Sequence, residues 1–221
     1  MKKIRTAVAL LLVGAMAAGL TACSGGKLSP SKLAKAAKAV GAEEYEPEDF
    51  QDEIEDISSI KDFGDYSEGI YTSGKIDDVK KVLKADRIDI PTKKVTEATV
   101  FFSADYDKKK NADTMCIIAS LVFEDKDSAR KFYEDSTEDL EEALESFEDM
   151  FDNVSQDDGE DGYEYYIVSF GNKKQPANNY GIYLDGKTVI VIEENSDGSK
   201  DLSGMADSIC DELGIKAPSE A

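Results

Sequence analysis

The sequence has no histidine and no tryptophan, only three cysteines and five prolines, and few positive charges. Each shortage excludes something. Without histidine there is no His-based catalytic triad or dyad and no imidazole metal site. The cysteines, at 23, 116 and 210, are too widely spaced for a zinc cluster. The chain holds 26 Lys and Arg against 47 Asp and Glu, and this deficit argues against nucleic acid, whose phosphates need clustered cations. No glycine-rich phosphate loop occurs. No Ser-x-x-Lys sits at a helix start in a convincing context; Ser29-Pro30-Ser31-Lys32 fits the letters but lies too near the N-terminus to receive a substrate easily. The acidic stretch from Asp157 fails as a calcium loop, because its third and twelfth positions are Gly159 and Val168 rather than oxygen ligands. The sequence therefore nominates no catalytic residue, metal or cofactor.

What is present begins with a leader. Lys2, Lys3 and Arg5 precede an apolar run from Ala7 to Leu20, and small residues follow up to Cys23. The run has signal-peptide length and is short for a membrane span. Leu20-Thr21-Ala22-Cys23 resembles the lipobox of bacterial lipoproteins. The resemblance implies that residues 1–22 are removed and that Cys23 carries diacylglycerol with further acylation such as palmitate. Residues 23–28 are then a lipid-anchored tether on the extracytoplasmic face of the cell membrane. With its acidic body, the whole chain resembles small acidic lipoproteins of Gram-positive bacteria. That resemblance supplies no activity.

Without the leader's three cations the balance is 23 basic against 47 acidic residues, a formal charge of −24. Ordinary apolar content, ten Tyr and nine Phe mark a folded body rather than an acidic tail. The charge keeps that body soluble and repels an anionic membrane surface. The local exception is Lys27 with Lys32, Lys35 and Lys38, which precede the first acid at Glu43. They form a candidate membrane-surface contact; the alternative is that Leu33 and Val40 pack inward while the lysines face water.

Periodicity divides the body in two. Residues 29–90 read as mostly helical: Lys32 to Val40, Pro47 to Ile60 and Ile76 to Ala85, with a short strand at Gly69 to Tyr71 turning at Ser73-Gly74. Residues 95–215 read as an α+β domain with the order β-β-α-β-β-β-α, an antiparallel sheet with helices on one face. Thr114 to Phe123 is apolar on both faces, which predicts a central strand. A long helix opens with Asp127 as its cap, and Asp152 to Gly162 reads as an acidic loop. Asp185-Gly186 predicts a tight hairpin turn, and Gly214 the end of the last helix. Gly69–Lys75 echoes Gly181–Lys187 at five of seven positions, which chance and shared turn preferences explain. Cys116 and Cys210 fall on inward-facing positions, as thiols or as a disulfide.

Tyr163, Tyr165, Tyr166, Tyr180 and Tyr183 gather on the last strands and form a candidate contact surface for a ligand or partner. Their burial would remove it. The sequence thus points to a non-enzymatic extracytoplasmic lipoprotein that binds an unidentified ligand or protein. The alternatives are a carboxylate-based hydrolase and an accessory subunit of a membrane complex.

Overall fold

The computed structural model describes residues 26–55, 66–85, 94–107, 112–147, 151–172, 175–197 and 204–221. The leader, Cys23 and the expected helical residues 56–60 lie outside them. The elements are α1 (Pro30–Ala39), β1 (Glu43–Glu44), α2 (Pro47–Glu55), β2 (Ile70–Lys75), α3 (Ile76–Ala85), β3 (Val95–Asp107), β4 (Ala112–Phe123), α4 (Lys126–Phe147), β5 (Asn153–Glu160), β6 (Glu164–Asn172), β7 (Gln175–Asp185), β8 (Thr188–Asp197), α5 (Met205–Leu213) and a short 3-10 helix (Pro218–Glu220).

The eight strands among the described residues join one sheet, in the order β1-β2-β3-β4-β8-β7-β6-β5. Every pairing is antiparallel except that of β1 with β2. The α+β class holds broadly. β4 is central, as its two-sided apolar character predicts: Cys116 and Ile118 face one core, while Ile117, Ala119 and Leu121 face the other.

Three expectations are corrected. First, helices cover both faces of the sheet. Leu33, Ala36 and Ala37 of α1 and Ala206, Ile209 and Cys210 of α5 pack on the face of Phe101, Tyr183 and Ile190. Phe50 of α2, Val79 and Val82 of α3 and Ala129 of α4 pack on the face of Val100, Leu121 and Val189. A sheet whose inner strands are apolar on both sides needs two covers, and burying the second face contributes stabilisation at roughly 25 cal/mol per Å² of apolar surface removed from water. Second, the described part of residues 29–90 is mostly helical, as expected, but its β1 and β2 extend the same sheet. β2 runs through Ser73 and Gly74, paired with Thr99 and Ala98, where the sequence suggests a turn. The Gly69–Lys75 segment is therefore straight while its echo at 181–187 is a hairpin. Third, the acidic segment before Tyr163 contains a strand, β5, so the order from residue 95 is β-β-α-β-β-β-β-α.

Smaller features follow local chemistry. Asp125, rather than Asp127, caps α4: its Oδ1 accepts from the Ser128 N–H at 2.7 Å. The β7–β8 turn is centred on Gly186 and Lys187, bracketed by the Asp185–Thr188 pair, and Gly186 has a φ of 64°. Gly214, at φ 67°, closes α5 as expected.

The start of the described chain is docked rather than hanging free. Leu28 is fully buried, and its carbonyl accepts from the Ser120 hydroxyl at 2.8 Å. The Lys27 N–H donates to Asp185 Oδ2 at 2.6 Å, and Lys27 Nζ donates to the Asp161 carbonyl at 3.1 Å. Two hairpin turns thus hold this segment at one end of the sheet. No helix among the described residues is long and apolar enough to cross a membrane.

Candidate functional site

The sequence-nominated tyrosines do not form one exposed surface. Tyr163, Tyr166 and Tyr183 are buried, so this part of the expected contact surface is corrected to core. Tyr163 and Tyr183 share the α5 face, their rings 6.1 Å apart. The Tyr183 hydroxyl donates to the Lys216 carbonyl at 2.7 Å, and the Lys216 N–H donates to the Tyr163 oxygen at 2.9 Å. Amphipathic rings suit this use: the ring fills the core and the hydroxyl fastens the C-terminal tail. Tyr166 lies on the opposite face under Leu144 of α4.

Tyr165 and Tyr180 are half-buried. Tyr165 donates to Asp157 Oδ2 at 3.0 Å, and Lys216 Nζ reaches the same oxygen at 2.6 Å. The Lys216 hydrogen bond, then that of Tyr165, holds the Asp157 carboxyl below its ordinary range. Tyr180 stacks on Phe170 and donates to Asn195 Oδ1 at 2.8 Å. Burial, then the Glu193 carboxylate, pushes its hydroxyl up to about 12.

Among the lysines, Lys27 is tied to Asp161 and rests over the Tyr163 ring. Lys35 and Lys38 are exposed and Lys32 half-buried, while Leu33, Ala36 and Ala37 of the same helix are buried.

The most developed polar constellation lies elsewhere, near the tip of the β3–β4 hairpin. A cleft with about 220 Å³ of free volume is lined there by Ser103 and Asp105 of β3, Thr114 and Cys116 of β4, Glu194 of β8 and the start of α5. Glu194 is only 2 % exposed. Its Oε2 accepts from Asn179 Nδ2 at 3.0 Å, and its Oε1 from the Ala206 N–H at 3.4 Å. Asn179 is oriented in turn by the Ser169 hydroxyl, which donates to its Oδ1 at 2.8 Å. Gly204 offers α5 no side-chain cap, so Glu194 supplies a carboxylate to the helix N-terminus from another strand. The buried hydroxyl of Ser196, the residue that pairs with Thr114 across β4 and β8, has no hydrogen-bond partner among the described residues.

Cys116 and Cys210 are free and buried in the α5-side core. Burial is the largest cause raising both thiols, with Glu194 next for Cys116 and Asp207 next for Cys210. Neither is an activated nucleophile, because the thiolate is the reactive form. No group of three or more acids and cysteines among the described residues is placed to hold a metal.

Sequence reasoning missed Glu194, Asn179 and Thr114. The signal was present for Glu194, which follows Ile190 and Ile192 at the inward-facing parity of β8. A charge on a buried parity marks either a paired structural group or a site.

No family model matches the chain, and comparison with curated proteins and with solved structures returns no match.

Proposed function

We propose that the protein is a lipid-anchored extracytoplasmic module that binds a small polar ligand without transforming it. The leader and Cys23 support the address. The observation that carries the binding reading is the cleft at Glu194, where a buried carboxylate and the start of α5 meet Ser103, Asp105 and Thr114 beside the apolar Met115 and Met205. Its volume lies below the roughly 300–1,000 Å³ usual for drug-sized ligands, which suits a small metabolite. Asp105 and Glu194 both line it, so a cationic or multiply hydroxylated ligand fits its chemistry.

The same pair of acids favours a second reading, a carboxylate hydrolase. The binding reading stands ahead of it for two reasons. A general acid must reach the leaving oxygen, whereas Glu194 already accepts from Asn179 and from the helix. The cleft is also small for a glycan.

The test is thermal unfolding of the full chain with a panel of small amines, amino acids and sugars. A binder at 100 times its Kd stabilises by about 2.7 kcal/mol. Thr114→Phe, which fills the cleft from a half-exposed wall, abolishes that shift. No shift from any compound, or a shift that survives Thr114→Phe, refutes the assignment. Turnover of a sugar conjugate, lost in Asp105→Asn, would favour the hydrolase. Incorporation of labelled palmitate, lost in Cys23→Ser, tests the anchor separately.

A further inference from the structure

The two ends of the sheet differ. β1 is two residues long, so it presents almost no edge. β5 is eight residues long and pairs only with β6; no strand among the described residues covers its other side. In an antiparallel ladder, alternate residues turn their N–H and C=O groups away from the partner. β5 therefore offers a row of backbone donors and acceptors to solvent. Its side chains do not shield that row: Asn153, Ser155, Gln156, Asp158 and Glu160 are exposed, and Val154 is the exposed large apolar residue of the described chain, at 40 %.

Charge decides what fits there. From Asp152 to Glu164 the sequence carries six acids and no Lys or Arg. Within β5, Asp157 is paired with Lys216, whereas Asp158 and Glu160 make no ion pair among the described residues. A second copy of this chain added at the edge would set acids against acids, and like charges across strands are destabilising. An extended segment bearing lysine or arginine at alternate positions would satisfy the backbone row and neutralise the uncompensated carboxylates together.

We propose that the free edge of β5 is a docking site for an extended cationic segment of a partner protein, which adds to the sheet as a ninth strand. This site is distinct from the Glu194 cleft and does not depend on it. Val154, at the end of the edge, supplies an apolar contact for the segment's terminus. Acids on an edge strand also discourage aggregation; the proposal goes further, in that the same charges select the partner.

The test uses the isotope-labelled full chain and a capped (Lys-Thr)₄ peptide, matched to the length of β5. Two control peptides accompany it: capped (Glu-Thr)₄, and (Lys-Thr)₄ methylated on alternate backbone nitrogens. Binding of (Lys-Thr)₄ shifts the amide resonances of β5 and slows hydrogen exchange of its outward amides about tenfold or more. The acidic and N-methylated peptides bind at least about tenfold more weakly, because one lacks the charge and the other the ladder. The Asp158→Lys/Glu160→Lys chain, both positions being exposed, melts as the wild type does and binds (Lys-Thr)₄ roughly tenfold more weakly. The proposal falls if the N-methylated peptide binds as well as its parent, if the shifts map outside β5, if the charge reversal leaves affinity unchanged, or if (Lys-Thr)₄ does not bind. It also falls if sedimentation shows the wild type dimerising through this edge, since the occupant would then be a second copy.

Discussion

Replacing Glu194 by alanine tests whether the carboxylate at the cleft is part of the scaffold. The residue is 2 % exposed and joins β7, β8 and α5. Removing it leaves the buried Asn179 Nδ2 without this acceptor. Asn179 cannot simply rotate, because its Oδ1 already accepts from Ser169. An orphaned buried donor costs about 1–3 kcal/mol. The loss of a carboxylate at an otherwise uncapped helix start adds about 1 kcal/mol. The expected total is about 2–4 kcal/mol. With a urea slope near 2 kcal/mol per M, the midpoint falls by about 1–2 M. Far-UV circular dichroism is the suitable readout, since there is no tryptophan to follow. Glu194→Gln keeps the shape and one acceptor, so it should lose about half as much. An alanine variant within about 0.5 kcal/mol of the wild type would refute the reasoning. Asn179 and α5 would then be satisfied by water.

Gly181→Ala should destabilise by about 1–3 kcal/mol in thermal unfolding, because an added Cβ would lie 2.7 Å from the Tyr183 ring and 3.0 Å from Pro218; a raised melting temperature would contradict this. Burial pushes the Tyr71, Tyr133 and Tyr180 hydroxyls up to about 12, above the unfolded value near 10. These groups therefore stabilise the fold fully below about pH 10 and lose that contribution as pH rises toward 12, so ultraviolet titration at alkaline pH should show late-ionising tyrosines that become ordinary in urea. At the acid end, Arg130 holds the Glu164 carboxyl below its ordinary range, so its contribution is present above about pH 4.5 and lost as pH falls further; Glu164→Gln should flatten the acid limb of an unfolding curve. A thiol reagent should leave Cys116 and Cys210 untouched in the native chain and react with both in denaturant; rapid native reaction at either would show that the α5-side core opens readily.

How much of this was legible beforehand follows from where water sits. β4 was readable because both its faces are buried, which leaves a continuous apolar run. α1, α3 and α5 were readable because each presents one apolar stripe. β5 was not: its side chains are mostly exposed, and it is rich in Asp with a Gly, residues depleted in strands. Its pairing comes from the backbone of β6, which leaves no mark on the side-chain pattern. The second helical cover was missed for a related reason. The alternation of Ala98, Val100, Phe102 and Ala104 along β3 suggests one buried face, yet Thr99, Phe101 and Ser103 of the opposite parity are buried too. Small polar residues there bond rather than face solvent, as Thr99 does to the Pro30 carbonyl at 3.1 Å. The tyrosine cluster was seen in sequence, but aromatic residues on adjacent strands indicate proximity, not exposure. The cleft draws on β3, β4, β8 and α5, so no local pattern could announce it.

If Cys23 carries a lipid, the docking of Lys27 and Leu28 would set the posture of the molecule on a bilayer. A lipid on Cys23 would have only Ser24, Gly25 and Gly26 before the chain is pinned, a reach of at most about 14 Å. The β5–β6 and β7–β8 turns, which hold Lys27, would then hover just above the headgroups. From there β8 climbs away, and Glu194 stands six residues beyond Thr188, roughly 20 Å higher up the strand. The cleft would then lie at the end of the sheet away from the bilayer, and β5 would rise from near the lipid with its Asn153 end farthest out.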